Sequence, residues 1–177
     1  YVFTLLFALL AQSCTQKLDV GVLVVGGGAS GVAAGVQSAR MGVQTLIIEE
    51  TSWLGGMLTA AGVSCVDGNY NLRGGIFGEF ADSLCARYGS WDALKTGWVS
   101  NINFEPHVGQ EIFSNMAEAC VENLNVMRET RIVSLCKLAD GGWKVVAESA
   151  KGERVEVRAS VLIDCTELGD IAKMCGV

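Results

Sequence analysis

A Val-rich apolar run at residues 20–25 (VGVLVV) passes without a break into Gly26-Gly27-Gly28-Ala29-Ser30-Gly31. Few local patterns restrict a fold as much. The run reads as a strand covered on both faces. A helical stretch follows from 29 to about 41, closed by Gly42, and Thr45–Ile48 reads as a second buried strand ending at Glu49-Glu50. Strand, helix and strand within about thirty residues form a right-handed crossover unit with the two strands parallel. The chain is thereby committed to a layered α/β domain.

In the pattern Gly26-x-Gly28-x-x-Gly31 each glycine has a mechanical task. Gly26 permits a sharp turn, Gly28 lets a pyrophosphate approach the backbone, and Gly31 lets the helix pack closely. The first helical turn, which includes Ala29 and Ser30, offers unpaired amides and about half a positive charge to an anion. Glu49 lies about 20 residues beyond the first glycine, the spacing of an acid that binds a ribose diol. A carboxylate there repels a 2′-phosphate and so disfavours NADP. Glu50 takes this role if the strand ends one residue later. The expected ligand is a dinucleotide, but this unit alone does not separate FAD from NAD.

The rest of the chain adds two further signals. Residues 53–75 form a Gly-rich loop, 76–88 an amphipathic helix, and Pro106 opens another helix to about Cys120. A short strand is expected at 126–127. Alternating segments at 131–138, 143–148 and 154–158, joined by Asp140-Gly141-Gly142 and Lys151-Gly152, read as an antiparallel meander. A separate buried strand is expected at 161–163, leading into an acid-rich turn.

Composition removes several function classes. The chain has 177 residues, enough for about one domain. Half the residues are apolar and 18% are charged, which excludes a disordered chain. A net charge of −6 argues against a nucleic-acid partner. The single histidine, His107, excludes multi-histidine metal sites. The seven cysteines contain no C-x-x-C pair, so no zinc or iron–sulfur spacing is present and no metal is expected. Most of these cysteines lie in apolar stretches and are expected to be core thiols. Residues 1–11 are almost wholly apolar, suited to a secretory signal and too short to span a membrane. Ser13-Cys14 after that run resembles the lipobox of bacterial lipoproteins, which makes Cys14 a candidate lipid anchor. The expectation is an export segment at 1–17 and a domain at 18–177, with the protein periplasmic or membrane-anchored. The chain stops at Gly176-Val177, just inside an expected helix, and reads as an N-terminal fragment.

Four motifs in order carry a family resemblance. They are the glycine loop, Trp53-Leu54-Gly55-Gly56-Met57-Leu58-Thr59, then Arg73-Gly74-Gly75-Ile76-Phe77-Gly78-Glu79, and the meander followed by Asp164-Cys165-Thr166-Glu167-Leu168-Gly169-Asp170. Together they resemble the FAD-dependent oxidoreductases of the glutathione-reductase-like, two-dinucleotide-domain class. Within it the nearest likeness is an exported bacterial subgroup related to the flavoprotein component of heterodisulfide reductase. Cys165 stands where alanine is usual, and Leu168 where a small residue is common.

The resemblance implies an α/β fold: a Rossmann-like FAD-binding domain with a parallel sheet and an inserted antiparallel β-meander. Gly26, Gly28 and Gly31 would cradle the FAD pyrophosphate, and Glu49 would hold the adenosine ribose. Gly55, Gly56 and Met57 would pass beside the flavin or its pyrophosphate, and the backbone of Ile132 would meet the adenine. Thr166, Gly169 and Asp170 would approach from the far side. An acid-rich turn at the carboxyl end of a parallel strand does face the ligand crevice. Capping of the next helix is the other use open to Asp164 and Asp170. The implied activity is flavin-mediated redox of an unidentified small-molecule substrate. No catalytic residue is assigned, since His107, Arg73, Glu79 and Tyr70 are polar residues outside any catalytic pattern. Two alternatives stand beside this reading: a surface-anchored dinucleotide-binding scaffold without turnover, and an NAD-dependent dehydrogenase. The intact glycines and Glu49 weigh against the first, the Gly-rich insertion and the meander against the second.

Overall fold

The computed structural model describes residues 16–67 and 71–177. The apolar run at 1–11, Cys14 and Tyr70 lie outside them. Strand β1 (Gln16–Val25) leads through the glycine loop to helix α1 (Ala29–Arg40) and then to β2 (Thr45–Ile48). Val22 to Val25 and all of β2 are buried, as a strand covered on both faces requires. Met41 is the C-cap of helix α1, and Gly42 takes the left-handed conformation just beyond it. Helices α2 (Gly75–Tyr88) and α3 (Pro106–Glu118) precede β3 (Leu124–Met127). Strands β4 (Thr130–Lys137), β5 (Trp143–Ser149) and β6 (Arg154–Asp164) follow, and α4 (Asp170–Met174) comes last.

The six strands form one sheet in the order β3-β2-β1-β6-β5-β4. Strands β3, β2, β1 and β6 run parallel, while β6, β5 and β4 are antiparallel. This is the parallel sheet with an antiparallel meander that the sequence predicts. One detail differs. The third meander strand and the strand at 161–163 are a single strand, β6, because Ser160 bridges them in extended conformation and β1 pairs with β6 over its whole length. For the same reason β1 begins at Gln16, four residues before its apolar run. Strand β5 pairs only with the first half of β6, so the second half has no strand on that side and Val161 is 48% exposed. The expectation that 161–163 is buried on both faces is therefore corrected.

Two apolar layers flank the sheet. One packs Val24, Val32, Val36 and Ile47 against α2 and α3. There Phe80 stacks on Phe113 with centroids 4.3 Å apart and meets Phe104 edge-on at 5.5 Å, which fastens α2 to α3. The other layer joins Leu23, Val25, Leu46 and Ile48 to Val145, Ala147 and Val157, so the meander covers the second face. The cysteines depart from the expectation of core thiols. Cys136 and Cys175 are exposed and Cys65, Cys85, Cys120 and Cys165 are half-buried, because β4 is the sheet's outermost strand and Cys175 follows a short terminal helix. Among the described residues no helix is long and apolar enough to cross a membrane.

Candidate functional site

Strands β1, β2 and β6 run parallel and end together. Val25, Ile48 and Cys165 stand at their carboxyl ends, and a cavity of about 590 Å³ opens there. This is the crevice where open α/β sheets bind ligands. Gly26, Gly28, Glu49, Glu50, Gly56 and Met57 line it. Ile132, Thr166 and Asp170 line it as well, contributed by distant parts of the chain.

Steric accounting separates the glycines by role. At Gly31 an added Cβ would fall 1.8 Å from the Gly26 carbonyl oxygen, so the helix start is wedged against the beginning of its own loop. Gly26 has φ +96°, and a Cβ there would lie 2.3 Å from the Cys165 carbonyl oxygen. Its glycine is required by the turn and by the approach of the segment after β6. A Cβ on Gly28, in contrast, would meet nothing within 4 Å. That open space lies at the start of α1, whose N-terminus has no side-chain cap and no acidic residue in its first turn. Its leading amides have no intrahelical partner. The arrangement suits an anionic group lying over Gly28.

Glu49 is 8% exposed, and both of its carboxylate oxygens are engaged. Oε2 accepts the Gly27 amide at 2.5 Å and Oε1 accepts the Thr51 amide at 2.8 Å. A carboxylate has about four acceptor positions, so two remain for a ligand diol. Gly27 thus anchors Glu49, a part that the glycine pattern does not single out. A Cβ there would come within 2.9 Å of the Glu49 Cβ and 2.7 Å of Leu54. Glu50 is exposed on the cavity rim, so the buried, anchored acid is Glu49.

The loop after β2 lies directly on the glycine loop. The Gly55 amide donates to the Gly27 carbonyl at 2.8 Å, and Gly28 and Gly55 form an isolated parallel bridge. Gly55 itself does not line the cavity but packs against Thr59 and Phe113. Ala29, Ser30 and Gly31 also stand behind the cavity wall as the first turn of α1. Gly169 does so too, as the left-handed residue that starts α4. Ile132 lines the cavity at a point where the β4–β5 register shifts between Ile132 and Ser134.

The turn after β6 is organised by Asp164. Its Oδ1 accepts from the Thr166 amide at 2.9 Å and the Thr166 hydroxyl at 2.7 Å, and its Oδ2 accepts from the Ala172 amide at 2.8 Å. The Thr166 hydroxyl in turn accepts the Asp170 amide at 2.8 Å. Asp164 is therefore the capping acid of α4, and the Thr166 hydroxyl is spent within the turn. Burial pushes the Asp164 carboxyl up, but the bonds from Thr166, Ala172 and Ile171 outweigh it and hold it below the usual carboxylate range. A depressed folded value contributes stability above the unfolded value of about 4, and that stability is lost as pH falls through the folded value. Asp164→Ala is expected to cost about 2 kcal/mol near neutrality, with the gap to the wild type closing below about pH 4. Thermal melts between these limits measure it, and a gap unchanged by pH would contradict the capping role.

Of the polar residues outside any catalytic pattern, the three described ones, His107, Arg73 and Glu79, do not line the cavity. His107 is exposed on the first turn of α3. Glu79 forms a two-bond ion pair with Arg40 at 2.6 and 2.7 Å, and the Arg73 guanidinium lies 3.6 Å from the centre of the Trp91 ring. Thr51, Ala60, Ala61, Thr130 and Glu167 line the cavity without belonging to the expected set of ligand residues. Thr51 follows the acid pair and Glu167 lies inside a recognised motif, but the two alanines carry no sequence signal.

Comparison with known proteins bears on the family and the fold. A family model described as FAD dependent oxidoreductase matches residues 21–177. The tRNA uridine 5-carboxymethylaminomethyl modification enzyme MnmG of Treponema pallidum is 28% identical over 163 residues, covering 81% of this chain. The chain spans 25% of that relative's length. Among solved structures, the OxyS anhydrotetracycline hydroxylase of Streptomyces rimosus matches 90% of this chain and 34% of its own, with TM-score 0.65 and 15% identity. The flavin-dependent monooxygenase PieE, solved with FAD and substrate, matches 84% of this chain and 30% of its own, with TM-score 0.56 and 17% identity. These two likenesses concern the fold.

Proposed function

Because the chain belongs to the FAD-dependent oxidoreductase family, we propose that residues 18–177 form the FAD-binding portion of a flavoenzyme that oxidises or reduces a small-molecule substrate. One observation carries the reading: open space over Gly28 and the anchored Glu49 carboxylate share a single cavity. A dinucleotide lying in that crevice would place its pyrophosphate at the first and its ribose at the second.

The residues fit the cofactor by their chemistry. The amides at the start of α1 face the pyrophosphate, and the free acceptor positions of Glu49 take the ribose hydroxyls. Ile132 and Thr130 offer wall to the adenine, while Gly56 and Met57 flank the path toward the flavin. Bound FAD supplies a two-electron carrier to the substrate. This chain's own contribution is binding, orientation and exclusion of water. No side chain here is assigned as acid or base. The tRNA substrate named for the Treponema relative is not carried over, since this chain spans 25% of that relative and its net charge of −6 does not favour RNA. Export, with lipid attachment at Cys14, belongs to the same proposal and is supported by the apolar residues 1–11.

The test is the visible spectrum of the purified protein and chromatography of what heat releases from it. Flavin bands with released FAD are expected. A colourless, folded protein that binds NAD would move the same glycines to a dehydrogenase, and one that binds neither would favour the scaffold. Glu49→Ala is expected to weaken FAD by about 1.5–3 kcal/mol through lost charge-assisted bonds. Fluorescence titration reads this directly, and unchanged affinity would remove Glu49 from the site.

A further inference from the structure

The cavity that takes the cofactor carries an unusual charge. Among its described lining residues are four carboxylates, Glu49, Glu50, Glu167 and Asp170, and no lysine or arginine. Glu49 is anchored by backbone amides. Glu167 has no hydrogen-bond or ion-pair partner among the described residues. It is exposed, but the backbone that bears it is held by the fold. The turn that bears it is tied at Thr166 and Ala172 to Asp164. A Cβ built on Gly56 would lie 3.2 Å from Glu167 Oε1 and 3.0 Å from the Gly28 Cα. The carboxylate thus stands beside the junction of the two glycine loops, next to the space that Gly28 leaves open.

We propose that Glu167 opposes cofactor entry, setting FAD affinity by placing a negative charge against the pyrophosphate as it enters the Gly28–Gly56 cradle. The inference rests on the FAD reading above. Two like charges about 5 Å apart in a water-exposed site repel enough to change an equilibrium severalfold. The amides that hold the pyrophosphate act at contact range, whereas repulsion from unpaired carboxylates is longer-ranged and more readily screened by salt. Raising salt should therefore tighten binding to this pocket. A cradle dominated by basic side chains would behave in the opposite way.

The experiment compares wild type with Glu167→Gln and Glu167→Ala, prepared free of cofactor and checked for equal thermal stability. FAD is titrated by flavin fluorescence at low and high KCl, and inorganic pyrophosphate by thermal shift. Both variants are expected to bind FAD roughly three- to tenfold more tightly than wild type at low salt, with the gap narrowing at high salt. Pyrophosphate should protect the variants more than wild type. Equal or weaker FAD binding by both variants would overturn the role of Glu167 and leave the cofactor reading intact. If none of the three proteins bound FAD while pyrophosphate still favoured the variants, the cofactor reading would fail and take the role of Glu167 in FAD affinity with it, leaving only its repulsion of a bare pyrophosphate. Absence of any difference with either probe would overturn it.

Discussion

Gly28→Val is expected to yield a folded protein that has lost its cofactor. The backbone at Gly28 has φ −61° and ψ −179°, an extended conformation open to any residue, and a Cβ there meets nothing within 4 Å. The folded state has room for the Cβ, so the melting temperature should stay within about 2 °C of wild type, corresponding to about 1 kcal/mol or less. The cost falls on the ligand. Two methyl groups would occupy the space over the first amides of α1 and push an anion out of hydrogen-bond reach. Contacts to charged groups of about 1.5–3 kcal/mol each would be lost together, a drop in affinity of roughly 100-fold or more. The flavin-to-protein ratio after gel filtration, read beside a thermal melt, measures both halves. A variant that kept its flavin would show that the cofactor does not cross Gly28.

Gly31→Ala makes the opposite prediction with a smaller group. The added carbon would lie 1.8 Å from the Gly26 carbonyl oxygen and 2.9 Å from the Gly26 carbonyl carbon, both backbone atoms. Neither atom is free to yield. Gly26 is held by the hydrogen bond that its amide donates to the Ile48 carbonyl at 2.8 Å and by the nearby Cys165 backbone. Relief would require α1 to move off the sheet, exposing Val32 and Val36, which are fully buried. Destabilisation of about 3 kcal/mol or more is expected, at the upper end of overpacking penalties. Urea unfolding would show a lowered midpoint. An unchanged midpoint would mean that the loop opens more easily than this packing allows.

The contrast between Gly28 and Gly31 marks how far a linear reading reaches. Both glycines, and Glu49 with them, are legible because the crossover unit is local. Strand, loop, helix and strand follow in sequence, and their spacing brings the acid to the loop without help from the rest of the chain. The meander is legible for the same reason, since its turns and alternation are short-range signals. Ile132 is legible through family likeness and not through periodicity, and it lines the cavity beside a register shift in β4 that no local signal announces.

Other features depend on segments far apart in the chain. Gly27 matters because it abuts Leu54 and Glu49, and Gly26 because Cys165 arrives from the far end of the domain. Asp164 and Thr166 look like ligand groups in a motif, yet their oxygens are committed to holding the turn and α4. Val161 looks like core from its neighbours but is exposed because β5 pairs with only the first half of β6. The identity of the glycine loop, its acid and the βαβ unit came from local spacing and apolar runs, which depend on backbone geometry alone. The charge of the cavity, the commitment of each polar atom and the exposure of β6 came from long-range contacts, because hydrogen-bond partners and covered surfaces exist only once distant segments have met.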